Sequence, residues 1–210
     1  MLAISLPSVA ENSLAGNSVS AKSQQTDSPV ILILGDSLSA SFGINANAGW
    51  VALLQQRLAS ENLPHQVVNA SISGETTSGG LQRLTQALNQ HLPKIVIIEL
   101  GANDGLRGLS LNLVRQNLSR MIRASQQAEA RVLLIGMRLP PNYGPRYTRD
   151  FEQIFVEIAE QHETGLVPFL LAKVATRREL LQGDGLHPTA AAQPQLLNTV
   201  WPQLLPLLGG

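Results

Sequence analysis

A chain of 210 residues, 44% of them apolar, has material for one domain with a real core and little besides. Fifteen basic and fifteen acidic residues cancel to a formal net charge of zero, so there is no general electrostatic case for nucleic acid or an anionic membrane as partner. Cysteine is absent, which excludes cysteine nucleophiles, thiolate metal sites and disulfides, and no apolar run approaches the roughly 18 residues of a membrane span.

Residues 1–29 differ from the rest, being rich in Ser, Asn, Gln and Ala without a steady period. Val19-Ser20-Ala21 has the small-residue spacing of an export cleavage site, but no Lys or Arg precedes Lys22 and Pro7 interrupts the apolar stretch Leu2 to Val9. Two readings stay open: a degenerate export signal, giving a periplasmic or secreted protein, or a disordered tail on a cytoplasmic one. The folded domain is expected over 30–208.

Val30 to Leu34 is an apolar, β-branched run that meets Gly35-Asp36-Ser37, a buried strand ending in a polar turn. Trp50 to Asn62 reads as a helix with Val51, Leu54 and Leu58 on one face, closed by Pro64. Gln66 to Ile72 is a second strand ending in Ser73-Gly74-Glu75, followed by a helix over Gly79 to Asn89. Ile95 to Leu100 is a strand covered on both faces, ending in Gly101-Ala102-Asn103-Asp104-Gly105, which reads as a loop. Leu111 to Gln127 repeats apolar residues at helical spacing, and Arg131 to Gly136 is the fourth strand. The prolines at 140, 141 and 145 exclude a regular helix from the next loop. Arg146 to His162 is helical, Leu166 to Leu170 is a weak fifth strand, and Thr189 to Leu205 is the last helix.

Alternation of strand and helix calls for a parallel sheet with helices on both faces. The expected fold is α/β, a flavodoxin-like three-layer α/β/α sandwich with five parallel strands in the order 2-1-3-4-5. In that order the first and third strands are neighbours, and the ends carrying Ser37 and Asn103 share one crevice.

A nucleophilic serine needs a base, a group to orient the base, and donors for an oxyanion. His65 and His91 precede strands at the opposite end of the sheet, and His162 closes a charged helix. His187 alone lies in a glycine-rich irregular segment, three residues after Asp184. The expected catalytic set is therefore Ser37 as nucleophile, His187 as base and Asp184 as its orienting acid. The expected oxyanion donors are the Ser37 and Gly74 backbone N–H groups and the Asn103 amide. Asp36 and Asp104 are read as structural residues that bond local backbone.

The segments Gly35-Asp36-Ser37-Leu38-Ser39, Ser71 to Thr77, Gly101 to Gly108 and Asp184 to Pro188 stand in register along residues 30–207. With them the chain resembles the SGNH (GDSL) hydrolase superfamily, and within it the bacterial arylesterase, acyl-CoA thioesterase and lysophospholipase group. The resemblance implies the same flavodoxin-like fold and the same roles for Ser37, Gly74, Asn103, Asp184 and His187. It implies acyl transfer to water from a small-molecule ester or thioester through an acyl-enzyme, with no cofactor, no metal, no nucleic acid and no integral membrane segment, by a monomer. Members of that group usually begin with a clear signal peptide, which the poor apolar segment of residues 1–29 does not match.

Leu106, Arg107, Leu109, Leu139, Pro140 and Tyr143 are the expected substrate-binding residues, forming an apolar wall, with Arg107 and Arg138 read either as partners for a phosphate or as solvated surface arginines. Two other readings use the same residues: a carbohydrate O-acetyl esterase, and a non-catalytic flavodoxin-like binding domain. The second lacks a phosphate loop and leaves Asp184 and His187 unexplained.

Overall fold

Strand composition sets strand position in the sheet. In the computed structural model, which describes residues 1–2 and 28–209, β1 (Val30–Gly35) and β3 (Ile95–Glu99) lie in the middle and are buried along almost their whole length. β2 (Gln66–Asn69) exposes both its polar ends and takes one edge. β4 (Arg131–Ile135) stands beside β3, and the short β5 (Gly165–Val167) takes the other edge. All neighbours are parallel, in the order β2-β1-β3-β4-β5. The export-signal reading of residues 1–29, with Val19-Ser20-Ala21, falls on residues 3–27, outside the described part.

Helices cover both faces. α1 (Trp50–Ser60) packs on α6 (Gln193–Leu208), while α2 (Thr77–His91) packs on α4 (Leu111–Gln127), which packs on α5 (Pro145–Gln161). The stripes at helical spacing are the buried ones: Trp50, Leu54 and Leu58 in α1, and Phe151, Ile154, Phe155 and Ile158 in α5. Phe151 and Phe155 meet edge to face at 5.3 Å. Each such side chain contributes about 1.5–3 kcal/mol by leaving water.

Element ends depart from expectation for local reasons. α2 begins at Thr77 rather than Gly79, because the Thr76 hydroxyl accepts from the Gly79 N–H at 3.3 Å and Asp104 accepts from the Thr77 N–H at 2.9 Å. The expected loop after β3 winds into a short helix, α3 (Ala102–Leu106), reached through Gly101 at φ 118°, a left-handed conformation suited to glycine. β5 stops at Val167 because Pro168 cannot donate to the ladder. α6 starts only at Gln193, with Pro194 in its first turn, and Pro202 and Pro206 lie inside it.

β1 and β3 lie side by side, and the chain leaves β1 for one edge and β3 for the other. Their carboxyl ends therefore open a crevice where the order reverses, the usual ligand position in such sheets.

Candidate active site

Ser37 is the second residue beyond β1, on a tight turn closed by Ala40 N–H to Asp36 carbonyl at 2.9 Å and Phe42 N–H to Ser37 carbonyl at 3.1 Å. Its half-buried hydroxyl lies 2.9 Å from His187 Nε2. His187 Nδ1 lies 2.6 Å from Asp184 Oδ2, so the imidazole is held at both nitrogens. An ionised Asp184 accepts there, which makes Nδ1 the donor and leaves Nε2 free to accept from Ser37.

The loop that carries this pair is knotted by its own polar groups. Asp184 Oδ1 accepts from the Leu186 and His187 N–H groups at 2.9 and 3.0 Å, and Gly185 turns the chain at φ 72°. The His187 and Leu186 N–H groups, and then the imidazole, hold the Asp184 carboxyl down to about 2. The loop is also tied to the serine turn: Gln182 Nε2 donates to the Phe42 carbonyl at 2.8 Å and the Pro188 carbonyl at 3.0 Å. The Phe42 ring lies 4.6 Å from the His187 ring.

Asn103, on α3, projects its Nδ2 to Asp36 Oδ2 at 3.1 Å and the Glu75 carbonyl at 3.0 Å. Gly74 is exposed at φ 78°, and its carbonyl accepts from Arg107 Nη2 at 3.0 Å. Asp104, fully buried, takes the Thr77 N–H at 2.9 Å and the Thr77 hydroxyl at 2.6 Å. That contact locks α2, which follows Gly74, onto α3, which carries Asn103. Asp36 bonds the local Leu38 N–H at 3.0 Å, as expected of it, and also reaches Asn103. Asp104 does not bond local backbone; it bridges to α2 instead.

The crevice opens into a cleft of about 410 Å³ with Ser37, Asn103 and His187 at its polar end. Leu106, Leu139 and Pro140 line it, joined by Met137, Phe169, Leu171, Leu181 and Leu186. Arg107, Leu109 and Tyr143, expected in the same wall, are not among its lining residues. Arg107 is turned to the Gly74 loop, the Leu109 carbonyl accepts from the Tyr147 hydroxyl at 3.0 Å, and the Tyr143 hydroxyl donates to the Leu106 carbonyl at 3.0 Å. Arg138 lies at the lining instead, ion-paired with Glu152 and 5.2 Å from the Phe169 ring.

Three residues at the site went unread in the sequence. Gln182 and Phe42 carried no signal. Glu99 carried one, a carboxylate closing an otherwise apolar strand. It is fully buried beneath the serine turn, and burial, then the Asp36 charge, push its carboxyl well above the usual range. Among the described residues, no group of three His, Asp or Glu side chains is arranged to hold a metal, and no helix is long and apolar enough to cross a membrane.

Residues 33–193 match the model of the GDSL-like lipase/acylhydrolase family. The chain is 50% identical over 185 residues to the esterase TesA of Pseudomonas aeruginosa, covering 88% of this chain and 92% of that one. It is 43% identical over 187 residues to the arylesterase of Vibrio mimicus, covering 89% and 92%. It is 43% identical over 178 residues to a thioesterase 1/protease 1/lysophospholipase of Escherichia coli, covering 85% and 84%. The crystal structure of TesA superposes with a TM-score of 0.83, covering 85% of this chain and 99% of that one. A psychrotrophic esterase EstA from Pseudoalteromonas, inhibited by monoethylphosphonate, superposes with a TM-score of 0.82 at 42% identity, covering 86% and 99%.

Proposed function

The chain belongs to the GDSL-like lipase/acylhydrolase family and is a serine ester hydrolase, and from that premise we propose that Ser37, His187 and Asp184 carry the reaction. The observation that supports this reading is the unbroken line from Ser37 Oγ through His187 to Asp184, at 2.9 and 2.6 Å. Ser37 Oγ attacks the acyl carbonyl while His187 Nε2 takes its proton. Asp184 keeps Nδ1 protonated and stabilises the imidazolium that results. The Ser37 and Gly74 N–H groups and the Asn103 amide take the oxyanion. His187 returns the proton to the leaving alcohol or thiol, then activates the water that releases the acid. The domain that does this spans 30–208.

The substrates are carboxylic esters and thioesters with an apolar acyl or aryl part, for the cleft beside Ser37 is walled mainly by Leu, Met, Pro and Phe. The names of the relatives point the same way: an arylesterase and a thioesterase/lysophospholipase. The test is a panel of p-nitrophenyl esters, acyl-CoAs, lysophospholipids and acetylated sugars compared by kcat/KM. Rising kcat/KM as the acyl chain lengthens beyond acetyl supports the apolar reading. Preference for acetylated sugars would assign a carbohydrate O-acetyl esterase. Export rests on residues 1–29 acting as a signal: N-terminal sequencing that finds a mature chain beginning near Lys22 supports it, and an uncleaved N-terminus supports the tail on a cytoplasmic protein.

A further inference from the structure

The Gly-Asp-Ser turn stands on two buried carboxyl groups that the proposed chemistry does not use. Glu99 closes β3 directly opposite Gly35 of β1 in the sheet register. Its Oε2 accepts from the Ser39 hydroxyl at 2.7 Å and, at 3.3 Å, from the Asp36 N–H. Gly35 is what admits it: a Cβ there would lie 2.9 Å from Glu99 Oε2 and 2.8 Å from both Ser39 Cβ and Ser71 Oγ. The glycine before Asp36 thus makes room for a carboxyl group under the nucleophile turn.

Asp36 and Glu99 are 1% and 0% exposed, and Glu99 Oε2 accepts from the Asp36 backbone N–H, so the two carboxyl groups are buried as neighbours. Two facing anions in such a place repel and are both desolvated, so one proton between them is the stable state. Both Asp36 oxygens already meet N–H donors, from Leu38 and from Asn103. Glu99 Oε1 meets none. A proton on Glu99 satisfies that orphan oxygen and gives Asp36 a further donor.

We propose that Glu99 and Asp36 form a one-proton carboxyl pair, Glu99 the neutral acid and Asp36 the anion, which positions the Ser37 turn and the Asn103 amide. Both are positioning residues, and the oxyanion part of this assignment rests on the reading of Asn103 given above. Burial pushes both carboxyl groups upward. The other titratable group acting on Asp36 is the imidazole of His187. On α2, packed against β1, Arg83 is engaged by Glu75 and the Ala70 carbonyl.

The experiment combines infrared spectroscopy of the full chain at pH 8 with kinetics of three variants. The native protein shows the carbonyl stretch of one protonated carboxylic acid, absent from Glu99→Gln. Glu99→Gln, which keeps a donor and an acceptor, holds kcat within about threefold, whereas Asp36→Asn loses about a hundredfold in kcat with KM nearly constant, the pattern of a misplaced oxyanion donor. The acid limb of the kcat profile stays in place in Glu99→Gln, because the group replaced was already neutral. Absence of the acid band, a shift of that limb by a pH unit or more, or Glu99→Gln failing as badly as Glu99→Ala would overturn the pair. The band does not depend on which serine reacts. A fluorophosphonate that labels the native protein elsewhere than Ser37 therefore removes the active-site reading, while the band still decides the pair.

Discussion

Asp184 and His187 are three residues apart on a loop open to solvent, whereas Asp36 meets Glu99 and Asn103 from 63 and 67 positions away, joining two strand ends and a helix at the Ser37 turn. The first pair is set by hydrogen bonds made within one turn. The second group is set by the sheet register and by exclusion of water. Their carboxyl groups move accordingly: local N–H donors pull Asp184 down to about 2, and burial lifts Asp36 to about 6. Damage to the loop should cost activity and leave the fold alone, while damage to the floor should cost both.

Ser37→Ala gives the largest effect, a loss of kcat of about 10⁴-fold or more with an unchanged melting temperature. Asp184→Asn follows, with about 10³-fold lost as the imidazole loses its fixed tautomer, and with a small loss of stability at neutral pH. Asn103→Ala lowers kcat about 10²-fold and KM little if its amide has the proposed oxyanion role, because that charge develops only in the transition state. Asp104→Ala breaks the comparison's other side: it strands two Thr77 donors and costs about 2–3 kcal/mol of unfolding free energy by urea titration.

Titration sharpens the same contrast with opposite signs. The Asp184 carboxyl lies near 2 when folded, below its ordinary 3.8. Its contribution to stability is therefore complete above about pH 4 and disappears as pH falls through 2, so native and Asp184→Asn melting curves converge on acidification. The Asp36 carboxyl lies near 6 when folded, above 3.8, so its ionisation opposes folding increasingly from pH 4 to 6. The stability deficit of Asp36→Asn relative to native therefore shrinks over that range. Equal slopes for the two variants would erase the distinction between loop and floor.

The same division explains what the sequence disclosed. The strand order followed from alternation and from a count of five strands, which suits the flavodoxin-like order, and Asp184-Gly185-Leu186-His187 could be read as a pair because its geometry is confined to one turn. Asp104 could not be read correctly, since its partner Thr77 lies on another helix and nothing local marks it. Arg107 was assigned to the cleft by its position after Asn103, but the winding of α3 turns it to the Gly74 carbonyl. Glu99 was visible as an odd carboxylate in an apolar strand, yet its meaning depends on standing opposite Gly35, a matter of register.

The most direct test of the site is covalent capture. Native protein and Ser37→Ala are treated with a p-nitrophenyl alkylphosphonate, residual esterase activity is followed, and the adduct is located by mass spectrometry. The account predicts one phosphonyl group per native chain, on Ser37, appearing in step with loss of activity, and none on Ser37→Ala. A label on another residue, or ester hydrolysis by pure Ser37→Ala at near-native rate, would contradict it.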